Sequence, residues 1–164
     1  MIEKIDYEEI KPMFELAAKS MAGCPVPVYF RVPLQEGNKG EAFKDADGTP
    51  AIELFPIEDM EDLYKTFLHE LAHVIFHVKD LEPRILPAEI AAMQKKGIQV
   101  LPASTDEEHA KYWNDPKEIE ARGFADYFYE FSKRKAWVFY GEDSVKACLR
   151  VCANTILKKE NEND

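Results

Sequence analysis

Apolar residues recur every three to four positions along the first segment of the chain, at Ile10, Met13, Phe14, Ala17, Ala18 and Met21, with polar residues between them. That period predicts an amphipathic helix from about Tyr7 to Ala22, stopped by Gly23. The pattern then changes. Val26 to Val32 (Val-Pro-Val-Tyr-Phe-Arg-Val) is rich in β-branched and aromatic residues and reads as a strand, which Pro25, Pro27 and Pro33 push toward a sheet edge or its start. Gly37 to Gly40 and Asp45-Ala46-Asp47-Gly48 read as turns. Around the second, Glu41 to Lys44 and Pro50 to Phe55 read as the strands of a hairpin, with Ile52 and Leu54 on one face.

Helical spacing returns from Glu58 to Lys79, where Leu63, Phe67, Leu71, Val74 and Val78 form a stripe and Glu58, Asp59, Glu61 and Asp62 suit the positive end of the helix dipole. From Asp80 to Pro116 the pattern is interrupted by Pro83, Pro87, Gly97, Pro102 and Pro116. Room remains there for a short helix from Ala88 to Lys96, and the stretch reads as an insertion near the cleft. Asp115 is a candidate N-cap with Pro116 at the first helical position, and the helix that follows is expected to make apolar contacts through Ile119, Phe124, Phe128 and Phe131. A last helix from about Asp143 to Lys158 packs through Val145, Leu149, Cys152 and Ile156. The expected fold is α+β, a small antiparallel sheet packed on helices. It forms one domain over residues 1–159, ahead of a polar tail at 160–164.

Composition narrows the function. With 46% hydrophobic and 32% charged residues the chain has the make-up of a folded protein. A formal net charge of -10 argues against a nucleic-acid surface, which needs clustered Lys and Arg. No stretch approaches the roughly 20 apolar residues of a membrane span, and Met1-Ile2-Glu3-Lys4-Ile5-Asp6 lacks the apolar core of a signal peptide. A cytoplasmic protein with no membrane partner is expected. The 3 Cys make a poor disulfide framework, and Cys148 and Cys152, four apart on the last helix, read as small core residues. No internal repeat, phosphate-binding glycine loop or Gly-x-Ser-x-Gly elbow is present.

The chemistry lies in His69-Glu70-Leu71-Ala72-His73. Residues four apart share a helix face, so both imidazoles aim at one point where a zinc ion would sit, and Glu70 stands beside it as a base. Of the 4 His in the chain, His69, His73 and His77 fall at successive four-residue steps. A catalytic zinc site takes a third protein ligand, and the candidates are His77, Glu82, Glu89, His109, Glu118 and Glu120. On a straight helix His77 would point about 6 Å further along the axis, behind the ligands or against the pocket wall. Glu118 is favoured because it opens a helix whose Ala121 and Ala125 lie near its own face and permit close approach. Glu120, about 200° around that helix, should not coordinate as well.

The block Phe67-Leu68-His69-Glu70-Leu71-Ala72-His73-Val74-Ile75-Phe76-His77, preceded by a hairpin and followed by Glu118-x-Glu120-Ala121-x-x-Phe124-Ala125, resembles the ImmA/IrrE family of zinc metallopeptidases. The likeness runs over roughly residues 26 to 132. It implies a zincin-like core built on the active-site helix, with zinc on His69, His73 and Glu118 and with Glu70 as the base. It further implies a cytosolic protease, often encoded on phages or mobile elements, that cleaves a repressor-type transcription factor. Two rival readings stand beside it. One is an ArdC-like or SprT-like zinc peptidase with another third ligand; the other is an acidic regulator that binds a protein partner without cutting it, for which Glu70 would have no use. For a peptidase, the strand Ala51 to Phe55 is the expected edge for pairing with an extended substrate, and His109, Tyr112 and Arg122 are candidates for stabilising the oxyanion.

Overall fold

The helices begin where the sequence supplies a side-chain acceptor for their first free N–H groups. Asp6 accepts from the Glu9 N–H, Asp59 from Glu61, Thr105 from Glu108, Asp115 from Lys117 and Ser144 from Ala147. Two helices stop at a glycine in the left-handed conformation, Gly23 at φ 77° and Gly141 at φ 69°. The computed structural model describes residues 5–31, 38–55, 59–83, 95–96 and 105–157. Among these lie helices α1 (Tyr7–Ala22), α2 (Met60–Phe76), α3 (Asp106–Trp113), α4 (Pro116–Tyr140) and α5 (Val145–Ala153), a 3-10 turn at Val78–Asp80, and strands β1 (Val28–Phe30), β2 (Gly40–Lys44) and β3 (Pro50–Leu54). The fold is α+β. No helix of the described residues is long and apolar enough to cross a membrane.

The sheet is mixed, a correction to the antiparallel sheet expected. Its order is β1-β3-β2: the β2–β3 hairpin is antiparallel, and β1 lies parallel to β3 on the other side. β3 takes the centre because it is the strand that is buried almost throughout, from Ala51 to Leu54, so both of its edges need partners. Ile52 and Leu54 pack under α2 with Leu63, Phe67 and Leu71, and Phe14 of α1 meets Phe67 with ring centroids 4.6 Å apart. A buried polar tie joins three helices: the Tyr64 hydroxyl of α2 lies 2.7 Å from Ser132 Oγ of α4 and 3.2 Å from Cys152 Sγ of α5. Cys148 and Cys152 are buried, as expected of small core residues.

Several boundaries differ from expectation. α2 ends at Phe76 rather than continuing to Lys79, and His77 leaves the helix at φ -127°. α5 ends at Ala153, so Ile156 lies beyond it and is exposed, as is Ile119 on α4; neither contributes to the core. Phe128 is buried and Phe124 and Phe131 pack against the core. The helix expected from Ala88 to Lys96, and Glu89 with it, lies almost wholly outside the described residues. Gly40 belongs to β2 and not to a turn.

Candidate metal centre

α2 carries His69 and His73 one turn apart on the face turned toward α4, where Ala121 and Ala125 are buried and leave room for close approach. Glu118, in the first turn of α4, then reaches both imidazoles. His69 Nε2 lies 2.8 Å from Glu118 Oε1, and His73 Nε2 lies 2.9 Å from Oε2. One ligand atom from each of the three residues falls within 4.8 Å of the others. These are two neutral-capable imidazoles and a carboxylate, the donor set that suits zinc, whose bonds of about 2.0–2.2 Å set tetrahedral ligands about 3.3 Å apart. To hold a zinc ion, the two carboxylate–imidazole distances would open by about half an ångström.

Burial works against the charge of Glu118, but hydrogen bonds from His69 and His73, with the Tyr112 hydroxyl, outweigh it and hold the carboxyl well below its ordinary range. Glu70 responds in the opposite sense. Burial pushes its carboxyl up to about 8; the charges of Glu118 and Glu41 add to the rise, while His73 and the backbone N–H of Ala42 oppose it. Two carboxyls of one site are thus driven apart. Glu118 is a fixed anion and Glu70 a group that exchanges its proton near neutral pH.

The bend at His77 gives that residue a role. His73 Nδ1 lies 3.0 Å from His77 Nδ1, and His77 Nε2 lies 2.6 Å from Glu120 Oε1. Together with the bond from His73 Nε2 to Glu118, this chain needs three protons on two rings. A metal ion at His73 Nε2 would take the place of one of them, which is how a ligating histidine is normally held: metal on one nitrogen, a supporting acceptor at the other. Glu120 is itself outside the cluster, as its position around the helix requires. Glu82 lies outside that group and meets β2 through its backbone carbonyl, which accepts from the Lys44 N–H at 3.0 Å. His109 sits on α3, its ring near that of Trp113, and is not one of the His69–His73–Glu118 group.

The strand alongside the site is β2, not β3. β3 is paired on both edges, so the expectation that Ala51 to Phe55 offers an edge to substrate is overturned by the sheet order. In the β2–β3 ladder Lys39 and Asp45 bond inward, so by alternation Gly40, Ala42 and Lys44 turn their backbone groups outward. Their N–H groups meet Asn38 Oδ1, the Glu70 carboxyl and the Glu82 carbonyl. Gly40 also permits the close approach of strand and helix: a Cβ there would stand 3.3 Å from Glu70 Cγ and 2.8 Å from Thr66 Cγ2.

Two features escaped the sequence reading. α3 carries a complete capping box between Thr105 and Glu108, and the Thr-x-x-Glu spacing that signals it lies in the stretch that prolines made illegible. Through α3, Tyr112 arrives beside Glu118, a contact across the α3–α4 junction that no periodicity announces. Comparison with family models, with characterised proteins and with solved structures gives no match to this chain.

Proposed function

We propose that this chain is a zinc-dependent metallopeptidase with a zincin-like core, cleaving a peptide bond in a protein substrate. The convergence of His69, His73 and Glu118, with Glu70 buried beside them, is the observation that carries the reading. A zinc ion bound by those three residues supplies Lewis acidity that draws the pKa of water down to about 7. Glu70 accepts a proton from the water as its oxygen adds to the peptide carbonyl carbon. It returns the proton to the amide nitrogen as the carbon–nitrogen bond breaks. A carboxyl held beside the metal position suits this two-way traffic, and a site that only held a structural metal would gain nothing from a buried carboxyl at this point.

The remaining residues orient. His77 and Glu120 hold the His73 ring from behind. The outward carbonyls of Gly40 and Ala42 on β2 face the side from which an extended peptide would approach. The substrate class we propose, on the resemblance to ImmA/IrrE proteins, is a repressor-type regulator. Zinc-loaded wild type and Glu70→Gln are compared by co-expression with repressors of neighbouring genes: wild type is expected to cut one of them, and the variant to cut none while keeping its metal. A Glu70→Gln protein that retains the full biological effect would make the role binding rather than cleavage.

A further inference from the structure

We propose that Tyr112 is the hydrogen-bond donor to the oxyanion formed at the metal centre, an assignment that rests on the peptidase reading above. Of the three side chains with suitable chemistry, His109 and Arg122 both pack on Trp113, although the Arg122 Nη1 is buried without a partner. The Arg122 guanidinium donates through Nη2 to the Trp113 carbonyl at 2.7 Å and lies 3.6 Å over the Trp113 ring. The His109 ring stacks near the same indole, with centroids 6.0 Å apart and planes inclined at 29°. Tyr112 differs. Its hydroxyl donates a hydrogen bond to the Glu118 carboxylate, and it lies near enough to Glu70 to feel that charge as well. A phenol that already donates to a carboxylate presents a donor suited to an anion.

The helix that carries Tyr112 is built to place it. None of the residues of α3 is buried, and its packing against the body is a limited contact with α4. What fixes it is local: the Thr105–Glu108 capping box at one end and the Arg122–Trp113 clamp at the other, one residue from Tyr112. Tyr112 itself remains about half exposed. When an anionic tetrahedral group forms at the site, the hydroxyl turns from Glu118 to the new oxygen. A donor so placed is commonly worth a factor of about 10²–10³ in rate.

The test uses inorganic phosphate as a tetrahedral anion and cobalt(II) as a coloured substitute for zinc, read by visible absorption. Wild type, Tyr112→Phe and His109→Ala are expected to load about one metal per chain, with His109→Ala matching wild type in phosphate affinity. Tyr112→Phe is expected to bind phosphate about 5- to 20-fold more weakly, the loss of one hydrogen bond to a charged acceptor. A fully loaded Tyr112→Phe with wild-type phosphate affinity overturns the inference and leaves the peptidase reading untouched. So does weakening in His109→Ala instead. A Tyr112→Phe protein that fails to load makes Tyr112 a support for Glu118 and also overturns it. A wild type that loads neither zinc nor cobalt brings down the peptidase reading, and this inference with it.

Discussion

Substituting Gly40 by alanine tests how closely β2 must approach α2. The added Cβ would lie 2.8 Å from Thr66 Cγ2, 3.1 Å from the Glu53 carbonyl oxygen and 3.3 Å from Glu70 Cγ, against ordinary contacts of about 3.5–4.0 Å. The Glu53 oxygen belongs to the central strand and cannot retreat without disturbing the sheet. Thr66 is held by its own hydrogen bond, Oγ1 to the Asp62 carbonyl at 2.9 Å. Relief therefore comes from a strand shift or from rotation of Thr66 with loss of that bond, an overpacking cost of about 1–3 kcal/mol. Reduced freedom of the unfolded chain returns about 0.4–1 kcal/mol. We expect a net loss of about 1–2 kcal/mol, a fall in Tm of roughly 2–8 °C for a chain of this size. Urea and thermal denaturation of Gly40→Ala, Thr66→Ser and the double variant form a cycle. Thr66→Ser removes Cγ2 and keeps Oγ1, so the double variant should recover at least half of the loss. A Gly40→Ala protein as stable as wild type, or a double variant with no recovery, would refute the close-approach argument.

Four further outcomes follow from the same geometry. Glu118→Gln should weaken zinc binding sharply while Glu120→Gln leaves it nearly intact, as read by competition with a chelator; the reverse order would move the third ligand to Glu120. Replacing His77 by Phe should lower zinc affinity about 10- to 100-fold by removing the support behind His73, and unchanged affinity would reduce the His73–His77 contact to packing. In the metal-free protein, the Glu70 carboxyl raised to about 8 means that the folded state holds a proton the unfolded state has released. Its contribution is therefore present at low pH and lost as pH climbs toward and past 8. Melting temperature should fall from pH 6 to pH 9, and Glu70→Gln should flatten that fall; parallel curves for the two proteins would count against a buried, protonated Glu70. Finally, Tyr64→Phe should destabilise by about 1–2 kcal/mol by leaving Ser132 and Cys152 without the phenol, and a stability equal to wild type in urea titration would show that tie to be inert.

Helices were legible where caps and period agree. Tyr7 to Ala22 was read to the residue, and Asp115 with Pro116 marked the start of α4. Where they disagree, period misled. Val78 continues the apolar stripe of α2, yet the chain turns away at His77, so the three histidines do not lie along one straight helix. The hairpin strands were read nearly correctly because the turn at Asp45 to Gly48 is local, with the Gly48 N–H bonding back to the Asp45 carbonyl at 2.9 Å. The parallel pairing of β1 with β3, and hence which strand is the edge, was not readable: it depends on contacts between Val28 and Ile52 and their neighbours, more than twenty residues apart.

That His69 and His73 point the same way with Glu70 between them is settled by helix geometry alone, since a four-residue step returns to the same face whatever surrounds it. The acidic partner was legible only as one of several, because Glu118 lies 49 residues from His69 and nothing in the local dihedrals links them. Packing of α4 on α2 through Ala121 and Ala125 chose it, and the same packing brought Glu120 to His77 rather than to the metal position. Burial was likewise a tertiary decision. In sequence Glu70 is one acid among 31, and its carboxyl is pushed up because β2, held at Gly40 and Ala42, closes over it and removes the water that would otherwise keep it charged.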